Sequence, residues 1–162
     1  MKIAILFYSF SGNTKKACEF LKNRLSSKSI GVDLIELKLK EETASFLRQC
    51  LQAFLKKKPD LAEGGYNLEK YDCLIFSSPV WAFAIAPALR SCLVRIETLE
   101  KKRTVCFLTY GSGAGSGKAL KELESIILDK GAQIIFSKNI AGNKTKDNTY
   151  LEKQFKPLLD IL

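Results

Sequence analysis

Short apolar segments alternate with amphipathic ones along the whole chain. Continuous or alternating apolar runs predict strands, and apolar residues recurring every three or four positions predict helices. The strands are expected at 2–9, 32–37, 72–77, 104–109 and 133–137, and the helices at 13–27, 42–57, 87–97, 117–130 and from Asp147 onward. Regular alternation of this kind predicts βαβ units and a parallel sheet.

The apolar pattern also predicts where each element lies. The first, third and fourth strands are continuously apolar, as central parallel strands are, whereas the second alternates and is expected at an edge. Paired apolar residues in the helix at 42–57 predict that this face packs in the core. Pro157 is expected to kink or interrupt the last helix. We therefore predict an α/β fold, a three-layer doubly wound five-stranded parallel sheet, in a single domain over 1–162.

The amino-acid composition excludes several kinds of catalytic and metal site. The chain of 162 residues has no histidine, which excludes Ser-His-Asp triads and histidine-bound metals. Its five cysteines are widely spaced in apolar runs, so we expect reduced core thiols and no metal site. The first apolar run suits a buried strand better than a signal peptide, and none is long enough to span a membrane, which predicts a cytoplasmic protein.

The chain is basic, with a formal net charge of +9. The lysines are scattered apart from the run Lys56–Lys58, which is expected at the C-terminal end of the second helix. This charge suits a solvated surface or a docking face for an acidic partner. No basic–aromatic cluster accompanies it, so nucleic-acid binding is not expected.

In doubly wound sheets, ligands bind beyond the carboxyl ends of the strands. The loop after the first strand is rich in hydroxyl groups and leads into a helix: Ser9, Phe10, Ser11, Gly12, Asn13 and Thr14. Free amides and the helix dipole at such a start favour a phosphate, and Gly12 allows a close turn around it. This loop therefore predicts a phosphate site, although a polar turn that merely caps the helix has similar residues.

Two further loops contain groups that suit a flat ring. After the third strand come Ser78, Pro79, Val80, Trp81, Ala82 and Phe83, which include the single tryptophan of the chain. After the fourth strand come Thr109, Tyr110, Gly111, Ser112 and Gly113, followed by further glycines. Aromatic side chains can stack on a ring, and glycines let the backbone approach it. A core role for Trp81 and a flexible glycine loop remain the alternatives.

These loops resemble those of the flavodoxin family. The stretch Ser9–Thr14 is similar to its phosphate loop, T/S-x-S/T-G-N-T, and Ser78–Ala82 followed by Pro87 resembles the loop beside its isoalloxazine ring. The resemblance implies strand order 2-1-3-4-5 and FMN as the cofactor across the ends of strands one, three and four. It also implies phosphate contacts from Ser9, Ser11, Gly12, Asn13 and Thr14, and a ring framed by 78–83 and 109–113.

The chain departs from classical flavodoxins in charge. Those proteins are acidic, whereas the ring loops here contain no carboxylate. Negative groups near a flavin disfavour an anionic hydroquinone, so their absence predicts a less negative potential and two-electron behaviour. We therefore predict an FMN-binding protein for electron transfer, with an unknown and acidic protein partner. The alternative is an NAD(P)H-dependent FMN or quinone oxidoreductase, and a flavin-free binding module is the third and least favoured function.

Overall fold

The computed structural model describes residues 1–41, 45–62 and 65–162. Within these ranges the chain forms six strands and five α-helices. The strands are β1 (Lys2–Phe7), β2 (Gly31–Glu36), β3 (Cys73–Trp81), β4 (Ala84–Ile85), β5 (Arg103–Tyr110) and β6 (Gln133–Ala141). The helices are α1 (Asn13–Ser26), α2 (Phe46–Phe54), α3 (Pro87–Arg95), α4 (Ser116–Asp129) and α5 (Asn148–Ile161).

The sheet has the order β2-β1-β3-β5-β6, with β4 attached to β3. The five long strands are parallel, and β2 lies at an edge. The predicted doubly wound fold is therefore confirmed, including the order that the resemblance implied once β4 is set aside. The short β4 was not expected, because the loop predicted after 72–77 forms an antiparallel hairpin in which Trp81 pairs with Ala84.

Two hydrophobic cores lie on opposite faces of the sheet. Successive side chains of a strand point to opposite faces, so β1 places Ile3, Ile5 and Phe7 in one core and Ala4 and Leu6 in the other. Helices α1 and α5 cover the first core, whereas α3, α4 and one side of α2 cover the second. The sheet is buried on both faces, as expected for parallel strands.

The packing predicted for the second helix is wrong. Helix α2 covers Phe46–Phe54; the predicted start at 42–44 and Gly64 of the following loop lie outside the described residues. Of the described side chains of this helix, Ala53 is buried and Cys50 packs partly buried against the core, whereas one side of the helix is left in water. That side holds Leu47, Leu51, Phe54 and Leu55, which are 81%, 56%, 65% and 53% exposed. The Lys56–Lys58 run follows the helix rather than forming its last turn.

The ends of α5 and β6 can also be compared with the predicted ones. The Asp147 side chain accepts a hydrogen bond from the Tyr150 backbone amide and caps α5, as predicted. Pro157 does not interrupt α5, whose neighbouring residues Phe155 and Leu158 are buried and hold it in place. Strand β6 continues four residues past the predicted end at Ser137, to Ala141.

In the described ranges, no helix is both long and apolar enough to cross a membrane.

Candidate functional site

A cleft of about 490 Å³ opens at the carboxyl edge of the sheet. Register explains its position, because β3 pairs with β5 through Pro79 and Thr109, and β5 pairs with β6 through Tyr110 and Ala141. The loops that follow these strands therefore emerge side by side. Residues 79–83 form one wall and 109–114 the other, with Ser11 and Asn13 at the end nearest α1. This volume is typical of cofactor pockets.

The end of the cleft at α1 suits an anion. Gly12 precedes the helix with φ of 83°, a left-handed conformation that glycine adopts without strain, and it has no side chain to cap the helix. A Cβ atom at Gly12 would meet nothing within 4 Å, so the space beside this backbone is open. The first turn contains no acidic residue. Open space and helix-start amides fit a phosphate group.

Two hydroxyl groups of the first loop have partners in the chain. The Ser9 hydroxyl accepts a hydrogen bond from the Lys15 backbone amide at 3.2 Å, which caps the first turn. Thr14 is 1% exposed, and its Oγ1 lies 2.7 Å from Oγ1 of buried Thr109. The Thr14 hydroxyl therefore joins α1 to the end of β5. Direct phosphate contacts from these side chains stay a prediction.

The first wall is an aromatic hairpin. Trp81 lines the cleft but is 6% exposed, because Tyr8 and Phe10 each pack edge-to-face against its ring at centroid distances of 5.6 Å. The neighbouring Phe83 is 51% exposed. Trp81 is thus a fixed part of the wall, whereas Phe83 presents apolar surface beside the opening.

The second wall is backbone-rich. Tyr110 is partly buried, and its ring lies 3.5 Å from the position that a Cβ atom would take at Gly113. Gly113 has φ of 83° and Gly115 has φ of 72°. Left-handed glycines of this kind let the loop turn back into α4 while keeping its backbone at the cleft.

Three lining residues were not predicted: Ala114, Gly142 and Asn143. The last two follow β6, whose predicted end at Ser137 placed them too far from the site. The polar pair Lys138–Asn139 concealed the continuation of the strand, although Ile140–Ala141 restores the apolar pattern. A Cβ atom at Gly142 would lie 3.1 Å from the Tyr110 carbonyl oxygen and 3.3 Å from Asn13 Nδ2, so this position is tightly packed.

Five predicted residues lie beside the cleft rather than in its lining: Ser9, Phe10, Gly12, Thr14 and Ser78. The Ser78 side chain is fully buried, donates to the Pro79 carbonyl oxygen at 3.1 Å and accepts from the Ala86 amide at 3.3 Å. Its hydroxyl therefore fixes the base of the hairpin. The other predicted residues, Ser11, Asn13, Pro79, Val80, Trp81, Ala82, Phe83, Thr109, Tyr110, Gly111, Ser112 and Gly113, line the cleft.

The cleft is uncharged. Among the described residues that line it there is no carboxylate, lysine or arginine. The thiols lie elsewhere: burial raises the pKa of Cys92 and Cys106 to about 12 and that of Cys73 to about 11, which keeps them protonated and unreactive at neutral pH. The described part of the chain also contains no cluster of three or more metal-ligating side chains.

The sequence decides the family. A model of the family described as NADPH-dependent FMN reductase matches residues 1–146. The chain belongs to this family. No curated protein sequence matches the chain at significant similarity.

Solved structures of flavoproteins share the fold of this FMN reductase family member. A flavoprotein from Lactobacillus acidophilus, solved in complex with FMN, is 20% identical, with a TM-score of 0.69 over 92% of this chain and 97% of the other. Oxidised flavodoxin 2 from Bacillus cereus is 19% identical, with a TM-score of 0.68 and full coverage of both chains. At these identities the similarity concerns the fold. The family assignment and the FMN-bound relative together support FMN as the cofactor of this FMN reductase family member.

Proposed function

We propose that this chain is an FMN-dependent oxidoreductase that takes a hydride from a reduced nicotinamide dinucleotide. The match to the NADPH-dependent FMN reductase family over residues 1–146 carries this proposal. The protein would work in the cytoplasm as a single domain over 1–162. An oxidised flavin accepts a hydride and passes electrons on singly or in pairs, so the protein needs to bind, orient and tune it.

The cleft supports specific roles for its residues. The phosphate would lie at the start of α1, where Gly12 opens space beside helix-start amides. The ring system would lie between the hairpin at 79–83 and the loop at 109–114. Ser11, Asn13 and Asn143 offer hydroxyl and amide groups that can orient a polar ligand without a net charge.

Substrate would approach on the exposed side of the hairpin. Phe83 is 51% exposed and Phe10 is 42% exposed, so both present aromatic surface next to the cleft. Such surface suits a flat nicotinamide or quinone ring. A second function, a one-electron carrier, is favoured by the similarity to flavodoxins and by the net charge of +9, which suits an acidic protein partner.

Two measurements on purified protein test these functions. The first is titration with FMN followed by flavin fluorescence, with riboflavin as the matched ligand that lacks the phosphate. We expect tight binding of FMN and much weaker binding of riboflavin, and equal affinities would contradict a phosphate site at α1. Absence of binding by either would favour the flavin-free binding module.

The second measurement follows NADPH and NADH oxidation by the FMN-loaded protein, with free FMN or a quinone as acceptor. We expect steady turnover that requires the bound flavin. Failure with both nicotinamides, combined with rapid one-electron exchange with a chemical reductant, would favour the carrier. The free flavin at the same concentration is the control.

A further inference from the structure

The turn of the aromatic hairpin is strained. Ala82 and Phe83 form the two-residue connection between Trp81 and Ala84, and their φ angles are +45° and +65°. Such a turn needs positive φ at both positions, for which asparagine and glycine are favoured. This conformation costs free energy for residues with a Cβ atom, so contacts with the surrounding protein must hold the turn in place.

Phe83 itself is held against α4. A Cβ atom built on Gly115, at the start of that helix, would lie 1.9 Å from Phe83 Cδ1 and 2.6 Å from Cγ. The phenylalanine ring therefore packs on bare backbone that no larger residue could present. This contact fixes the tip of the hairpin from one side.

Glu122 fixes the hairpin from below. One oxygen, Oε2, accepts a hydrogen bond from the Ile85 backbone amide of β4 at 3.3 Å. The other, Oε1, accepts from Arg90 Nη1 of α3 at 3.0 Å. A single carboxylate on α4 thus joins the returning strand of the hairpin to the neighbouring helix.

The ion pair of Arg90 with Glu122 is buried, and the exposed Lys56 Nζ lies 3.6 Å from the same Glu122 oxygen, Oε1. The side chains of Arg90 and Glu122 are 5% and 16% exposed. Arg90 Nε is buried and has no hydrogen-bond partner among the described residues. Burial lowers the pKa of Arg90 from its ordinary value, while Glu122 acts in the opposite direction. A buried pair is weak evidence for stability alone, so a positioning role is a reasonable physical account of its presence.

We propose that Arg90 and Glu122 are positioning residues that hold the strained Ala82–Phe83 turn in the form that shapes the ring wall of the cleft. Neither side chain lines the cleft. Glu122 acts on the hairpin through the Ile85 amide, and Arg90 acts through Glu122. The effect on flavin binding rests on the proposed function. The effect on the hairpin does not, because it concerns the protein without ligand.

Trp81 provides a direct readout, since it is the single tryptophan of the chain and is 6% exposed. The test variant is the double substitution Arg90→Met with Glu122→Leu, which leaves no unpaired buried charge and fills similar volume. Far-UV circular dichroism and a cooperative thermal transition establish that it folds. Glu122→Gln, which retains an acceptor for Ile85, is a second variant should the first fail to fold.

In the ligand-free double variant, we expect Trp81 emission to shift to the red and acrylamide quenching to rise at least two-fold. FMN affinity should fall about ten-fold. Adding Ala82→Gly, which relieves the strain at one turn position, should restore part of both properties. Glu122→Gln should give smaller changes in the same direction.

A control with the same residue changes removes an exposed ion pair, Arg24 Nη2 with Glu152 Oε1 at 2.8 Å, by Arg24→Met with Glu152→Leu. It should leave Trp81 emission unchanged. A folded Arg90→Met, Glu122→Leu protein with wild-type emission and quenching would overturn the proposal, because the pair would then support only helix packing. Wild-type protein that binds no FMN would contradict the proposed function while the tryptophan measurements still decide this inference.

Discussion

The hydroxyl oxygens of Thr14 and Thr109 lie 2.7 Å apart, and both side chains are buried. Thr14 belongs to the first turn of α1, whereas Thr109 is near the end of β5, ninety-five positions along the chain. This hydrogen bond connects the part of the cleft that suits a phosphate with the loop that forms its second wall. A direct hydrogen bond therefore joins the α1 end of the cleft to its second wall.

Removing one of these hydroxyl groups should destabilise the protein. Thr14→Val or Thr109→Val leaves the partner buried without a hydrogen bond, which costs about 1–3 kcal/mol of unfolding free energy. The double variant removes both groups and should lose less than the sum of the single losses. Urea denaturation of the four proteins measures this coupling. Strictly additive losses would mean that the two hydroxyls do not interact.

Gly12 should be sensitive to any side chain. Its φ of 83° is unfavourable for an L-residue, so Gly12→Ala should destabilise the protein by about 1–2 kcal/mol and weaken FMN binding. Because a Cβ atom there meets nothing within 4 Å in the protein, the loss of affinity would come from the backbone and from crowding of the ligand. Gly12→Val should abolish binding.

Gly117 offers a matched control for this substitution. It lies in α4, has open space around its Cα, and has no positive φ. Gly117→Ala should therefore stabilise the helix by about 0.5–1 kcal/mol and leave FMN affinity near that of the wild type. Equal effects of the two alanine substitutions on flavin titrations would place the phosphate somewhere other than the start of α1.

Strong periodic signals in the sequence predicted most of the fold. The continuous apolar runs of β1, β3 and β5 specify buried central strands, and Asp147 specifies the start of α5. The loops after these strands could be assigned to a site because parallel strands end at one edge. The residues predicted to hold a phosphate are contiguous, so they could be named from the sequence, and their phosphate contacts stay a prediction.

Features that depend on tertiary contacts could not be predicted. The Ala82–Phe83 turn lacks the asparagine and glycine that predict a two-residue hairpin. Contacts from distant parts of the chain hold it instead, at Gly115 and between Glu122 and Ile85. The exposure of Leu51 could not be read from a helical stripe, since the pattern does not say how wide a face the neighbours cover. Asn143 reached the site through an unexpected extension of β6.

Stability should depend on pH through Tyr71 and Asp33. The Tyr71 hydroxyl donates to Asp33 Oδ2 at 2.8 Å, and this bond, assisted by Lys2, lowers the pKa of Asp33. Burial and Asp33 raise the pKa of Tyr71 to about 12. Asp33 therefore contributes stability that is lost as pH falls through its lowered pKa, below about 4. Tyr71 contributes stability that is lost as pH rises from about 10 to about 12.

Tyr71→Phe separates these effects. It should remove the extra loss of stability in alkali and lessen the loss in acid, as measured by urea denaturation across the pH range. Asp33→Asn should abolish the acid effect while leaving most of the alkaline one, because burial is the larger cause of the raised pKa of Tyr71. An alkaline loss that persists unchanged in Tyr71→Phe would assign it to other groups.

The uncharged lining of the cleft predicts the redox behaviour of bound FMN. A carboxylate near the ring would repel the negative charge of a reduced flavin, and none is present among the described lining residues. We therefore expect a moderately negative potential and reduction in one two-electron step, with little semiquinone, in a potentiometric titration followed by absorbance. Ser112→Asp, on the second wall, should lower the potential by tens of millivolts, whereas Ser27→Asp, beyond the far end of α1, should not. A stable semiquinone with a very low second potential in the wild type would contradict this prediction and favour the one-electron carrier.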